Sequence, residues 1–251
     1  MTKSSAGDGG VAENALEGML RPPKTLLLRF GYYRRRYGLL HAVCGYIGRY
    51  WSGFWNLVGP IVTRPYLKRW LATENPKILN LGGGIVLFDR WLTADVTPRA
   101  DVYMDVTKSL PTPDDSVDVV YAEEVIEHVN RESGRQMLSE CFRVLKPGGI
   151  LRLTTPSLDY FAKRALMAPN GFEEINGIFY GHGHRCIYTE TALREALRAA
   201  GFINIARSSY RAPESKYGVF DTHPARVAYA LPEWSQYWEA GKPTGKPESQ
   251  S

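Results

Sequence analysis

An apolar run, Lys77-Ile78-Leu79-Asn80-Leu81, opens onto three consecutive glycines, Gly82-Gly83-Gly84, and the next two short apolar runs each carry an aspartate, Asp95 and Asp105. A buried strand that empties into a glycine turn lets a ligand approach the backbone, and a carboxylate at the end of the following strand can accept hydrogen bonds from ribose hydroxyls. Glycine turns also serve plain strand-to-helix connections, so the triplet alone does not decide between the two uses. A dinucleotide fingerprint fits badly: its third glycine would fall at Leu87, and the acidic residue comes about thirteen residues after Gly82 rather than about twenty. A phosphate-binding loop is excluded, because no Gly-Lys-Ser/Thr follows the glycines.

After Pro76 strand-like and helix-like segments alternate. Residues 78–81, 91–96, 102–106 and 117–121 read as strands, and 132–145 as a helix with Met137, Leu138, Cys141, Phe142 and Leu145 on one face. Pro147-Gly148-Gly149 stops that helix before a strand at 150–155; Thr189 opens another helix that Gly201 closes, and strands at 202–206 and 226–231 complete the pattern. Such alternation with short loops predicts an α/β fold, a mostly parallel sheet with helices on both faces. Ligands of these sheets sit at the carboxyl ends of the strands, where Gly82, Asp95, Asp105, Tyr121 and Pro156 fall. A short helix after Tyr121 carries Glu123, Glu124, Glu127 and His128; its first two carboxylates either face an acceptor or, as is usual for helix carboxylates, stand exposed. Residues 157–188 read as an irregular lid or substrate insertion, 1–20 as a disordered tail and 232–251 as a flexible tail.

Taken together, Leu79 to Gly84, Asp105 with Leu110-Pro111, Asp114-Ser116-Asp118, Ile126-Glu127-His128 and Arg143-Val144-Leu145-Lys146-Pro147-Gly148-Gly149 resemble the motifs of class I S-adenosylmethionine-dependent methyltransferases of the Methyltransf_11 kind. The likeness covers about residues 76–231. It implies a Rossmann-like, seven-stranded sheet whose last strand is antiparallel, with S-adenosyl-L-methionine bound across the carboxyl ends. The residues it assigns to the cofactor are Asn80, Gly82, Gly83, Gly84, Asp95, Asp105, Tyr121 and Ala122, with Asp95 facing the ribose and Asp105 the adenine amino group. One departure stands out. Ile85-Val86-Leu87 follows the glycines and Asp95 comes early, so the helix usual at this point must be short or replaced by a loop.

Methyl transfer from a sulfonium is an in-line displacement, so the protein chiefly holds donor and acceptor close and aligned. A hydroxyl acceptor also needs a base, for which histidine suits neutral pH. The candidates are His128, beyond the fourth strand, and His182 and His184 in the insertion. His182-x-His184-x-Cys186 lacks a partner cluster, so no metal is expected. Three widely spaced cysteines, Cys44, Cys141 and Cys186, suit reduced thiols in a cytoplasmic protein.

Residues 21–75 form a separate extension. Between Arg21 and Ala72 stand Arg34-Arg35-Arg36, Arg49, Arg64, Lys68 and Arg69 among many aromatics, with no Asp or Glu at all. Leu40, Val43, Cys44, Ile47, Trp51, Phe54 and Val58 recur at helical spacing, which predicts one amphipathic helix that Pro60 and Pro65 break, followed by a short helix from Tyr66 to Ala72. Such a basic, aromatic helix either caps the domain or lies on an anionic membrane surface, here the inner face; nucleic acid is not expected as a partner, for want of a binding motif. A spanning helix would bury Arg49 near its middle. The function that the resemblance implies, together with this basic helix, is methylation, O-directed, of a small-molecule or glycan or lipid-linked acceptor. Two alternatives remain: a non-catalytic cofactor-binding module recruited through the extension, and a nucleic-acid methyltransferase.

Overall fold

A computed structural model describes residues 19–20, 26–73, 76–227 and 230–245. Seven strands form its main sheet: β2 (Ile78–Leu81), β4 (Leu92–Asp95), β5 (Val102–Tyr103), β6 (Val117–Glu123), β7 (Leu145–Pro156), β8 (Ile203–Ser208) and β9 (Ser235–Gly241). They lie in the order β5-β4-β2-β6-β7-β9-β8, and only β9 runs antiparallel to its neighbours. The central strands are apolar on both faces because helices cover both: Leu79, Leu81, Leu92, Val117 and Val120 are all fully buried. Helix α5 (Arg131–Val144) starts where the Asn130 side chain accepts from the Ser133 N–H at 2.8 Å, and packs Met137, Leu138 and Cys141 into this core. Helix α8 (Glu190–Ala199) is capped in the same way by Thr189. The expected α/β class and the seven-stranded, mostly parallel sheet are therefore present.

Four expectations need correction. The last strand is Ser235–Gly241 rather than 226–231, and it lies within the stretch read as a flexible tail. It inserts between β7 and β8 with Trp238 opposite Leu153, and the indole is fully buried, its N–H donating to Gln236 Oε1 at 3.0 Å. The proline- and lysine-rich end after it hid this strand; residues 246–251 lie outside the described residues. Similarly, residues 1–18 lie outside the described residues, but Met19–Leu20 (β1), assigned to the same N-terminal tail, pair antiparallel with Leu87–Phe88 (β3). That two-residue strand stands where a short helix or a loop was expected after the glycine turn.

The single amphipathic helix is in fact two, α2 (Leu39–Gly48) and α3 (Ser52–Val62), preceded by α1 (Leu26–Tyr37) and followed by α4 (Arg64–Leu71). The chain turns at residues 49–51, and a Cβ on Gly48 would lie 2.7 Å from Trp55 Cβ, so the close crossing of the two helices requires glycine there. Pro60 sits inside α3 without ending it. One side of this layer packs on the sheet edge through Cys44, Trp55 and Tyr103. Arg36 is not a free basic residue, because its Nε donates to Asp101 Oδ1 at 3.2 Å; the Tyr37 hydroxyl donates to the same fully buried carboxylate.

The insertion is helical rather than irregular. It comprises α6 (Leu158–Met167), α7 (Gly171–Asn176) and a π turn at Gly177–Gly181. Among the described residues no helix is long and apolar enough to cross a membrane.

Candidate active site

At the carboxyl ends of β2 and β6 a cavity of about 510 Å³ opens. The glycine turn forms one wall. A Cβ on Gly83 would fall 2.2 Å from Asn80 Nδ2, and Gly82 has φ of 71° with Val125 closing the space beside it, so both positions admit only glycine. Asn80 is fixed because its Nδ2 donates to the Val86 carbonyl at 3.0 Å. Behind this wall Asp95 accepts from the backbone N–H of Gly84 at 3.0 Å and of Thr97 at 2.9 Å, one on each carboxylate oxygen. Burial raises its pKa, against the hydrogen bonds from the backbone of Thr97, Gly84 and Val96.

Across the cavity β6 ends in Tyr121, whose hydroxyl donates to the Phe220 carbonyl at 3.1 Å, and in Glu123. Glu123 was read as an exposed helix carboxylate, but it closes β6 and is buried, accepting from Thr222 N at 2.6 Å, Thr222 Oγ1 at 2.7 Å and His223 N at 2.8 Å. Glu124 follows with φ of 56° and accepts from Ser235 Oγ at 2.8 Å. The chain then makes one 3-10 turn, Ile126–His128, which buries Glu127 completely.

The three candidate histidines meet at this end. His128 and His184 have ring centroids 4.8 Å apart, and His182 stacks on His184 at 5.6 Å. The insertion is held to the turn because the N–H groups of Arg185 and Cys186 both donate to the Glu127 carbonyl, at 2.7 and 3.1 Å. Burial, then the charges of His128 and His182, lowers the His184 pKa to about 4; burial also lowers that of His128. Both rings are therefore neutral near pH 7. Burial and the neighbouring Glu124 push the Glu127 carboxyl well above the usual range.

Of the residues assigned from sequence, Asn80, Gly82, Gly83, Gly84, Tyr121, His128, His182 and His184 line the cavity, and Asp95 stands directly behind two lining residues. The structure does not bring the others in. Ala122 is fully buried beside Tyr121, and Asp105 accepts from Thr107 N at 3.0 Å and pairs with Lys108 at 3.2 Å. Sequence reading missed Thr97, Arg99, His223 and Trp234 in the lining; their only signal was position just after predicted strand ends or beside a hidden strand.

The Methyltransf_11 family, described as a methyltransferase domain, matches residues 89–153, which run from the approach to β4 into β7. A probable S-adenosylmethionine-dependent methyltransferase of Mycolicibacterium smegmatis is 37% identical over 105 residues, 42% of this chain and 36% of that protein. A counterpart from Mycobacterium tuberculosis is 33% identical over 109 residues, 43% of this chain and 35% of its own length. The chain thus spans about a third of the length of the curated relatives it matches. Among solved structures, a Haemonchus contortus phosphoethanolamine N-methyltransferase 2 aligns over 84% of this chain and 59% of its own at 14% identity and a TM-score of 0.46. Residues 89–153, which carry the Ile126-Glu127-His128 and Arg143 to Gly149 motifs and run from β4 into β7, are thus similar to the Methyltransf_11 methyltransferase domain.

Proposed function

We propose that this protein transfers a methyl group from S-adenosyl-L-methionine to a hydroxyl oxygen of a small-molecule, glycan or lipid-linked acceptor. One observation carries the reading: a single cavity joins the glycine turn, with Asp95 directly behind it, to three histidines at the other side. Its volume of about 510 Å³ lies in the range of small-molecule sites. The residues fit the cofactor. The Asp95 carboxylate accepts from the backbone of Gly84, Val96 and Thr97 and, with about four lone-pair sites, keeps acceptor capacity for a ribose hydroxyl. The turn at Gly82 to Gly84 offers a backbone wall free of side chains, and the relatives named above carry the same cofactor in their names.

The cofactor supplies an electrophilic methyl on a sulfonium. The protein holds the acceptor in line and takes its proton, and imidazoles kept neutral by burial are able to do so. Release of S-adenosylhomocysteine, measured with separate pools of phenols, free glycans and lipid-linked glycans, tests the reading and names the acceptor class. Binding of the cofactor with no release from any pool would favour the non-catalytic module instead.

The extension supports the choice of a lipid-linked acceptor. Leu40, Ile47, Trp51, Leu57 and Ile61 turn outward from α2, α3 and the bend between them, with Leu57 72% exposed. Arg34, Arg35, Arg64, Lys68 and Arg69 are exposed on the flanking helices, without an acidic residue between Arg21 and Ala72. Apolar side chains with a basic border complement an anionic bilayer, which the extension is proposed to contact peripherally.

A further inference from the structure

Glu127 presents an unusual feature. It has no exposed surface, its Oε2 accepts from Thr155 Oγ1 at 2.9 Å, and its Oε1 has no hydrogen-bond partner. The orphaned oxygen faces two imidazoles. It lies 3.9 Å from His128 Nε2, and His184 Nδ1 is likewise buried without a partner. One ligand atom from each of Glu127, His128 and His184 can be chosen so that all lie within 4.8 Å of one another.

A buried carboxylate oxygen needs a donor or a cation, and a buried imidazole nitrogen with a free lone pair needs a donor or a metal. A water or a proton could satisfy one of these atoms. A divalent cation between them, with the side chains drawn in by a few tenths of an ångström to reach bonds of about 2.0–2.2 Å, satisfies both orphaned atoms and takes His128 Nε2 as a third ligand. We infer that Glu127, His128 and His184 form a binding site for a first-row divalent cation of the zinc or iron type, opening toward the cavity. Two imidazoles and one carboxylate on one side of the ion are a usual donor set for Zn²⁺ and Fe²⁺ and leave further positions for a substrate oxygen.

The surroundings are those of a metal site. Thr155 fixes the carboxylate, as outer partners orient first ligands, and the rings of His128 and His184 each hydrogen-bond to backbone, at Gly183 and Ile178. The Glu127 carbonyl ties His184's own segment down through Arg185 and Cys186. The set is thus held by two stretches of chain distant in sequence, which is why no spacing motif announced it. The binding does not depend on methyl transfer. Its consequence does rest on that reading: an acceptor hydroxyl bound to the cation would give up its proton more readily, with His182, stacked on His184 and lining the cavity, taking it in place of the two ligating rings, which selects acceptors that can place an oxygen on the metal.

The test is titration of the full chain, stripped of metal by chelator, with Co²⁺ followed by visible absorbance and with Zn²⁺ by calorimetry at pH 7.5. One cation per chain is expected, with micromolar or tighter Zn²⁺ affinity. Glu127→Gln and His184→Ala should each weaken binding by tenfold or more, with native circular dichroism retained. Cys186→Ser should leave affinity unchanged, and no thiolate-to-cobalt charge-transfer band should appear. Binding weaker than millimolar, binding indifferent to Glu127→Gln, or loss with Cys186→Ser would each overturn the site. Cofactor titration of the chelator-treated chain is read separately, so failure of the metal site and failure of the methyltransferase reading give different results.

Discussion

The side-chain amide of Asn80 occupies the place where a Cβ on Gly83 would stand, 2.2 Å from Nδ2, and the Val86 carbonyl holds the amide there at 3.0 Å. The glycine turn and the strand before it are therefore one rigid unit. Gly83→Ala should cost about 1–3 kcal/mol through overpacking, read as a lower midpoint in urea. It should also weaken cofactor binding more than that loss of stability explains, since the turn must shift away from Asn80 and Thr93 and so reshape the cavity wall. An alanine variant with unchanged stability and binding would show that the wall yields.

Trp238 gives a second prediction, about the fold. It is fully buried in the strand between β7 and β8, and Arg194 stacks over its ring at 4.8 Å. Trp238→Ala should destabilise the protein by about 3–5 kcal/mol, and a chain ending at Leu231 should not fold. A stable, folded truncation would contradict the placement of β9.

The extension carries a pH-sensitive group. His41 is 2% exposed among the rings of Tyr33, Tyr37 and Trp55, and burial lowers its pKa to about 4 from an ordinary value near 6.5. The folded state resists the proton that the unfolded chain accepts. Its contribution is therefore present above pH 6.5 and lost as pH falls toward about 4, on the order of 3 kcal/mol by its end. Thermal melts of the native chain and of His41→Phe at pH 7.5 and 4.5 check this. The native chain should lose more stability than the variant over that interval, whereas equal losses would mean that His41 is protonated in the fold.

Peripheral binding is testable by sedimentation with vesicles. Vesicles rich in anionic lipid should carry the protein down and neutral ones should not, and raising salt should release it. Leu40→Glu with Leu57→Glu, both on exposed positions, should reduce binding at least tenfold without lowering the melting temperature. Equal binding to neutral and anionic vesicles would remove the electrostatic part of the account.

The core of the fold was legible because its signals are local. Strands such as Ile78–Leu81 are short apolar runs ended by glycine, and α5 has an apolar stripe with an Asn130 cap. What was missed depends on distant partners. Ser235–Gly241 becomes a strand because Leu153 and Arg194 bury Trp238, not because of its own pattern, and α2 parts from α3 where Gly48 meets Trp55. At the site, Asn80, the glycines, Asp95 and the histidines were readable from motif order. Glu123 was not, since its burial comes from Thr222 and His223, a hundred residues on by the numbering. Asp105 followed the family pattern in sequence, yet Thr107 and Lys108 occupy its carboxylate.

The central claim is tested most directly by calorimetric titration of the purified chain with S-adenosyl-L-methionine and, separately, with NAD, repeated on Asp95→Ala. The account predicts micromolar binding of the first, none of the second, and at least tenfold weaker binding of the first in the variant, whose side chain no longer accepts from Gly84 and Thr97. Absence of S-adenosyl-L-methionine binding by the native chain, or equal binding by native chain and variant, would contradict it.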